Sequence, residues 1–159
     1  MIRTNIRLTY ANGYIDLGMF KEAQAELEEI AEPDCSQAPS VMMWNKLHLT
    51  AGNWSELVQV SRELTVIAPE EAFGWVNWAY ALRELADAVS AKKVAEKALD
   101  RHPKEAVILY NLACYCSLLS EFETARSYLD AAIQIDDSFA AEFETDRDLD
   151  GLRDHENHS

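Results

Sequence analysis

A constant offset of 34 residues superposes four segments of this chain, and a chain built that way must stack copies of one small unit. A small-residue column reads Ala11, Asn45, Ala79 and Ala113, preceded by a bulky column of Tyr10, Trp44, Trp78 and Leu112. A later column reads Ala23, Leu57, Ala91 and Ala125. No unit of this size can bury its apolar face alone, so each must pack on its neighbour. Where one helix approaches another closely only a small side chain fits, and a large one from the adjacent helix fills the remaining space.

Each unit reads as two amphipathic helices joined by a tight turn. In the first, Ile6, Tyr10, Tyr14 and Leu17 recur at helical spacing, Gly18-Met19 breaks the run, and Phe20, Ala23, Leu27 and Ile30 resume it up to Pro33. The second carries Val41, Trp44, Leu47 and His48, turns at Gly52-Asn53, and continues through Trp54, Leu57, Leu64 and Ile67 to Pro69. The third runs from Trp75, Trp78 and Leu82 through Ala86-Asp87 to Ala91, Ala95 and Ala98, closing at Pro103. The fourth has Leu109, Leu112 and Cys116, a turn at Ser120-Glu121, then Phe122, Ala125, Leu129, Ala132 and Ile135. Trp44, Trp75 and Trp78 fall in core columns, and Trp54 shares its column with Phe20 and Phe122, so the tryptophans read as packing rather than as a ligand box.

Charge narrows the choice of partner. The net charge of −14 leaves too little Lys/Arg surface to neutralise phosphates, which argues against nucleic acid and anionic membrane. By unit the charge is −4, 0, −1 and −3, and residues 137–159 add −6, so the ends carry most of it. Acidic ends keep the exposed faces of a repeat stack soluble. No leader-like apolar run follows Met1, and no 18-residue apolar stretch occurs, so a cytoplasmic location is expected. Cys35, Cys114 and Cys116 are odd in number, and the last two lie two apart on one helix; they read as free, buried thiols.

The columns make the chain resemble the tetratricopeptide-repeat (TPR) family over about residues 4–137. The first-helix pattern of that family is matched best by Leu109, Leu112, Ala113 and Cys116. Its turn-aromatic-alanine-proline run is matched by Gly18-Met19-Phe20 with Ala23, and by Ala91, Ala98 and Pro103. The resemblance implies an all-α, right-handed solenoid of four antiparallel helix pairs, at about 4–37, 38–71, 72–105 and 106–137. Residues 138–159 are then an acidic C-terminal cap and tail, with Phe139, Phe143, Leu149 and Leu152 covering the last repeat. The second unit departs most, since Asn45, Leu57 and Leu64 stand where small residues are expected, which implies wider helix contacts there.

No residue pattern points to catalysis or to a cofactor. Asp146-Arg147-Asp148-Leu149-Asp150-Gly151 matches the start of a calcium loop, but the apolar eighth position is Arg153 and the bidentate twelfth is Asn157. A capped helix start is the expectation there instead. His48 lies in a core column, His102 precedes Pro103 at a helix end, and His155 and His158 lie in the tail. No Gly-rich phosphate loop, HExxH, GxSxG or CxxC occurs.

What remains is surface. In TPR arrays the first helices line a groove that holds a peptide or a partner helix, and the resemblance carries that role to Asn12, Met43, Lys46, Asn77, Tyr80, Arg83, Tyr110, Asn111 and Cys114. Asn side chains offer donor and acceptor to a peptide backbone, Tyr and Met adaptable apolar contact, and Lys46 and Arg83 a preference for acidic segments. Lys46 and Arg83 could equally pair with neighbours such as Glu84. The family's carboxylate clamp is incomplete: Asn12 fits it, but Leu8, Met43 and Phe73 stand where Lys, Asn and Lys are needed. The expectation is a non-enzymatic adaptor binding a protein or peptide, the alternatives being a chaperone for a secreted or aggregation-prone client and a self-associating homo-oligomer.

Overall fold

A computed structural model describes residues 2–158, and every regular element among them is helical. Eight helices follow one another along the chain, joined two by two through tight turns: α1 (Thr4–Asp16) and α2 (Phe20–Glu28), α3 (Ala38–Ala51) and α4 (Trp54–Ile67), α5 (Ala72–Glu84) and α6 (Ala88–Arg101), and α7 (Ala106–Leu118) and α8 (Phe122–Ile135). Two short helices, α9 (Phe139–Phe143) and α10 (Asp150–Asn157), follow, separated by a 3-10 turn at Arg147–Leu149. The chain forms two compact units that divide between Ala81 and Leu82.

The turn inside each pair repeats as faithfully as the core columns do. Gly18, Gly52, Ala86 and Ser120 all adopt left-handed backbone, with φ of 73°, 72°, 62° and 60°. That conformation ends a helix by turning its last amide back onto earlier carbonyls, as when the Gly52 N–H donates to Leu49 O and the Asn53 N–H to His48 O. Glycine adopts it without steric cost, whereas Ala86 and Ser120 bring a Cβ too close to the following carbonyl.

In the first unit the core gathers Ala11, Ile15, Ala23, Leu27, Ile30 and Leu47, with Leu8, Tyr14, Phe20, Cys35, Met43 and Trp44 packed partly against it. A fully buried Leu or Ile of this kind contributes roughly 1.5–3 kcal/mol. Ala23 and Leu57 are fully buried, as are Ala91 and Ala125 in the second unit, so the later column is core throughout. α2 stops at Glu28, well short of Pro33, and Ile30 is buried from the loop that follows.

One expectation changes. Ile6, Tyr10 and Leu17 are exposed, Leu17 by 75%, although the equivalent of Tyr10 in the fourth repeat, Leu112, is fully buried. α7 has α6 packed against it, and among the described residues no helix precedes α1 to do the same. Asn45 is accommodated in its column by a polar partner and a small neighbour. Its amide donates to Ser61 Oγ at 2.7 Å, both residues are buried, and Gly74 lets α5 approach so closely that a Cβ there would stand 3.0 Å from Leu64 Cβ. The room that Asn45 and Leu64 take is returned by Ser61 and Gly74.

α7 is unlike the other helices because it is apolar on every side. Ile108, Leu109, Tyr110 and the run from Leu112 to Ser117 are all buried. A helix that is hydrophobic all round must be covered all round. α6 and α8 cover two sides, and the cap covers the third through the 3-10 turn and α10. Leu149 and Leu152 are buried in doing so.

Candidate partner-binding faces

In the first unit the inward-facing set begins with an ionic cluster. Lys46 Nζ on α3 donates to Asn12 Oδ1 and to Asp16 Oδ1 on α1, both at 2.6 Å, while Asn12 Nδ2 donates to Asp16 Oδ2 at 3.1 Å. The Lys46 and Asp16 side chains remain 40% and 56% exposed, so the pair meets solvent and is worth under about 1 kcal/mol. One step along, Asn77 Nδ2 on α5 donates to Asn45 Oδ1 at 2.5 Å, which continues the chain of bonds to Ser61. Met43 is half-buried against the first-unit core. Tyr80 is exposed and takes the edge of Trp54, ring centroids 5.8 Å apart at 80°. Of this set, Lys46 is tied to Asn12 and Asn77 to Asn45 from one repeat to the next, while Met43 and Tyr80 add apolar and aromatic surface.

The second unit treats its share of the set differently. Tyr110 and Cys114 are buried, and what lies over them is the cap. Tyr110 OH donates to Asp146 Oδ2 at 2.9 Å, the Cys114 thiol donates to the same oxygen at 3.7 Å, and the Tyr110 ring stacks on Phe139 with centroids 4.5 Å apart. Arg83 grips Asp148 with two nitrogens, Nε at 2.7 Å from Oδ2 and Nη2 on Oδ1, and adds Glu84 Oε1 at 3.1 Å. Asn111 is half-buried. The two cations expected to bring positive charge to a partner are therefore both engaged inside their own units, Lys46 by Asp16 and Arg83 by Asp148.

These contacts leave their mark on acidity. Burial, then the hydrogen bond to Asp146, pushes the Tyr110 hydroxyl above its usual range. Burial, reinforced by the charges of Asp146 and Asp148, does the same to the Cys114 thiol. Cys116, desolvated on α7, is pushed up to about 11. Thiols held neutral in this way are poor nucleophiles and poor metal ligands. Cys114, Asp146 and Asp148 do lie within ligand distance of one another, but the two carboxylates are committed to Tyr110, to Arg83 and to the Asp148 N–H that Asp146 caps at 2.9 Å.

The segment that resembled a calcium loop is instead a clamped turn. Arg153, at the position where such a loop needs an apolar residue, donates to the carbonyls of Phe143 and Asp146 and to the Asp150 carboxylate. The role of Asp146 and Asp148 as occupants of the second-unit face is not in their own local sequence. It was signalled elsewhere, by the uncharged run from Ala106 to Ser120 that leaves α7 one side short of cover.

Residues 106–139, which are α7, α8 and the start of α9, match the tetratricopeptide-repeat family model. Solved structures align over nearly the whole chain: MamA over 96% of this chain and 85% of its own, at a TM-score of 0.78 and 16% identity. The chain has the tetratricopeptide-repeat fold, and its residues 106–139 match one such repeat in sequence. Two further TPR structures are similar to it. The TPR2B domain of yeast Sti1, in its pHsp70 complex, matches at 24% identity and a TM-score of 0.64, covering 72% of this chain and 94% of that one. YrrB, a TPR protein with an unusual peptide-binding site, matches at 13% identity and 0.67, covering 93% and 81%. At these identities the likeness establishes the TPR fold alone, and among curated proteins no sequence matches this one.

Proposed function

We propose that this TPR protein is a non-enzymatic interaction scaffold that receives an extended peptide on the first-unit face of Asn12, Met43, Lys46, Asn77 and Tyr80. The observation that carries the reading is the cross-repeat tie, Lys46 to Asn12 and Asn77 to Asn45, which holds polar side chains of α1, α3 and α5 in fixed positions on the surface. Groups already immobilised lose little entropy when a ligand arrives. The Asn77 amide oxygen accepts a peptide N–H, Asn12 and Asp16 frame a backbone or basic group, and Tyr80 braced by Trp54 supplies the rigid aromatic anchor. Binding of peptides by similar TPR structures supports the reading at the level of fold.

A displayed random-peptide library selected on the full chain supplies ligands for the test. Their affinity for Lys46→Glu/Tyr80→Ala is expected to fall about tenfold or more. Val66→Asp, on an outward position of α4 that is 76% exposed, leaves it unchanged. Equal affinity of all three proteins would place the binding surface elsewhere.

A further inference from the structure

The second-unit face is already occupied by a peptide, and that peptide belongs to the chain itself. Asp146 and Asp148 alternate along an extended-to-turn segment, their carboxylates on the Tyr110 hydroxyl and the Arg83 guanidinium, and Leu149 drops directly after them into a fully buried site. Alternate acidic residues followed by an aliphatic one are a complete recognition element: two charge-assisted contacts fix register, and one apolar side chain supplies area.

The way the segment is held suits exchange. Phe139, Leu149 and Leu152 are its buried apolar side chains, and the rest of residues 138–158 is held by part-exposed contacts such as the Phe122–His155 stack and the Arg126–Glu156 pair. Short helices of five and eight residues joined by a 3-10 turn gain little from their own hydrogen bonds, so such a segment belongs to the least stable part of a fold. Its charge is concentrated: seven acidic residues against Arg147 and Arg153 across 138–158. Outside the segment, the cation that meets Asp148 is Arg83.

We propose that residues 138–158 act as a displaceable internal ligand, which closes the Arg83–Tyr110–Cys114 site until a partner segment of the form Asp-x-Asp-Leu takes its place. The site lies wholly in the second unit, and the inference stands apart from the first-unit face. Being tethered, the internal segment acts at an effective concentration near the millimolar range, so a free partner competes at a disadvantage that weakening the internal contacts removes.

The experiment uses the full chain and a fluorescein-labelled peptide of residues 145–152, Thr-Asp-Arg-Asp-Leu-Asp-Gly-Leu, read by fluorescence polarisation. Asp146→Asn/Asp148→Asn keeps the shape of the segment and removes the two charges that meet Tyr110 and Arg83. It is expected to bind the peptide about tenfold or more tightly than the native chain. Adding Arg83→Glu to that variant abolishes binding. Modification of Cys114 by a thiol reagent, located by mass spectrometry, is faster in the double variant and is slowed again by the peptide. Asp148→Asn alone gives an intermediate affinity and covers the case in which the double variant does not fold. Equal peptide affinity of native and variant chains, binding indifferent to Arg83→Glu, or a Cys114 rate that the peptide does not change would each overturn the proposal. Loss of library-peptide binding on the first-unit face has no bearing on these readouts.

Discussion

Asn45 and His48, one turn apart on α3, account for what single side chains contribute. Asn45 was legible as an anomaly, an amide in an alanine column, yet its solution was not, because Ser61 and Gly74 lie 16 and 29 positions away and only packing reveals that they make room for it. His48 stacks on Trp44, centroids 5.5 Å apart, and its Nδ1 lies 3.4 Å from Asn53 Nδ2, an arrangement in which the neutral ring accepts from the amide. Burial lowers its pKa from 6.5, against a smaller opposing pull from Glu56. The unfolded chain therefore takes up the proton at higher pH than the folded one. Its contribution to stability is present above the unfolded value and is lost as pH falls through the folded one. Urea midpoints measured at about pH 7.5 and about pH 5.5 should drop less in His48→Gln than in the native chain. Equal drops would show that the ring carries no such linkage.

Helix pairs were the most legible level, because the 34-residue offset fixes turn and core columns together. The turn column gives a test in both directions. At Ala86, φ of 62° puts a Cβ into left-handed backbone, so Ala86→Gly should stabilise by roughly 0.5–1 kcal/mol, relief of strain exceeding the entropy glycine adds to the unfolded chain. Gly52→Ala, at φ of 72° with only ordinary contact to Trp54, should destabilise by a similar amount. Urea denaturation reads both, and a shift of the same sign in the two variants contradicts the argument. Less legible were the ends of elements and of the array. α2 stops before Pro33 although its apolar spacing continues, and α1 turns Ile6 and Tyr10 to solvent although Ile108 and Leu112, in the same columns, are buried. Periodicity records which face a helix offers, and the presence of a neighbour decides whether that face is covered.

For the molecule as a whole, a net charge of −14 sets self-repulsion against scattered ion pairs such as Arg7–Glu26 at 2.9 Å and Arg126–Glu156 at 3.3 Å. Part-exposed pairs of this kind are each worth under about 1 kcal/mol, while the excess of acid acts over the entire surface. Raising NaCl from about 10 mM to about 200 mM shortens the screening length from about 30 Å to under 10 Å and should raise the melting temperature by a few degrees. A fall in melting temperature would mean that the ion pairs outweigh the repulsion. Of the candidate surface, the sequence disclosed the first-helix positions. It hid that Arg83 is taken by Asp148, a partner 65 residues away to which no local pattern connects it. The dependence of α7 on the cap also sets an order in time. During synthesis the uncharged run from Ala106 to Ser120 is made before Leu149 and Leu152, the side chains that complete its cover. At about 5–20 residues per second a nascent chain carries that sticky helix uncovered for roughly a few seconds. The stretch most dependent on the cap is thus the one most exposed to chaperones and to misassembly while the protein is being born.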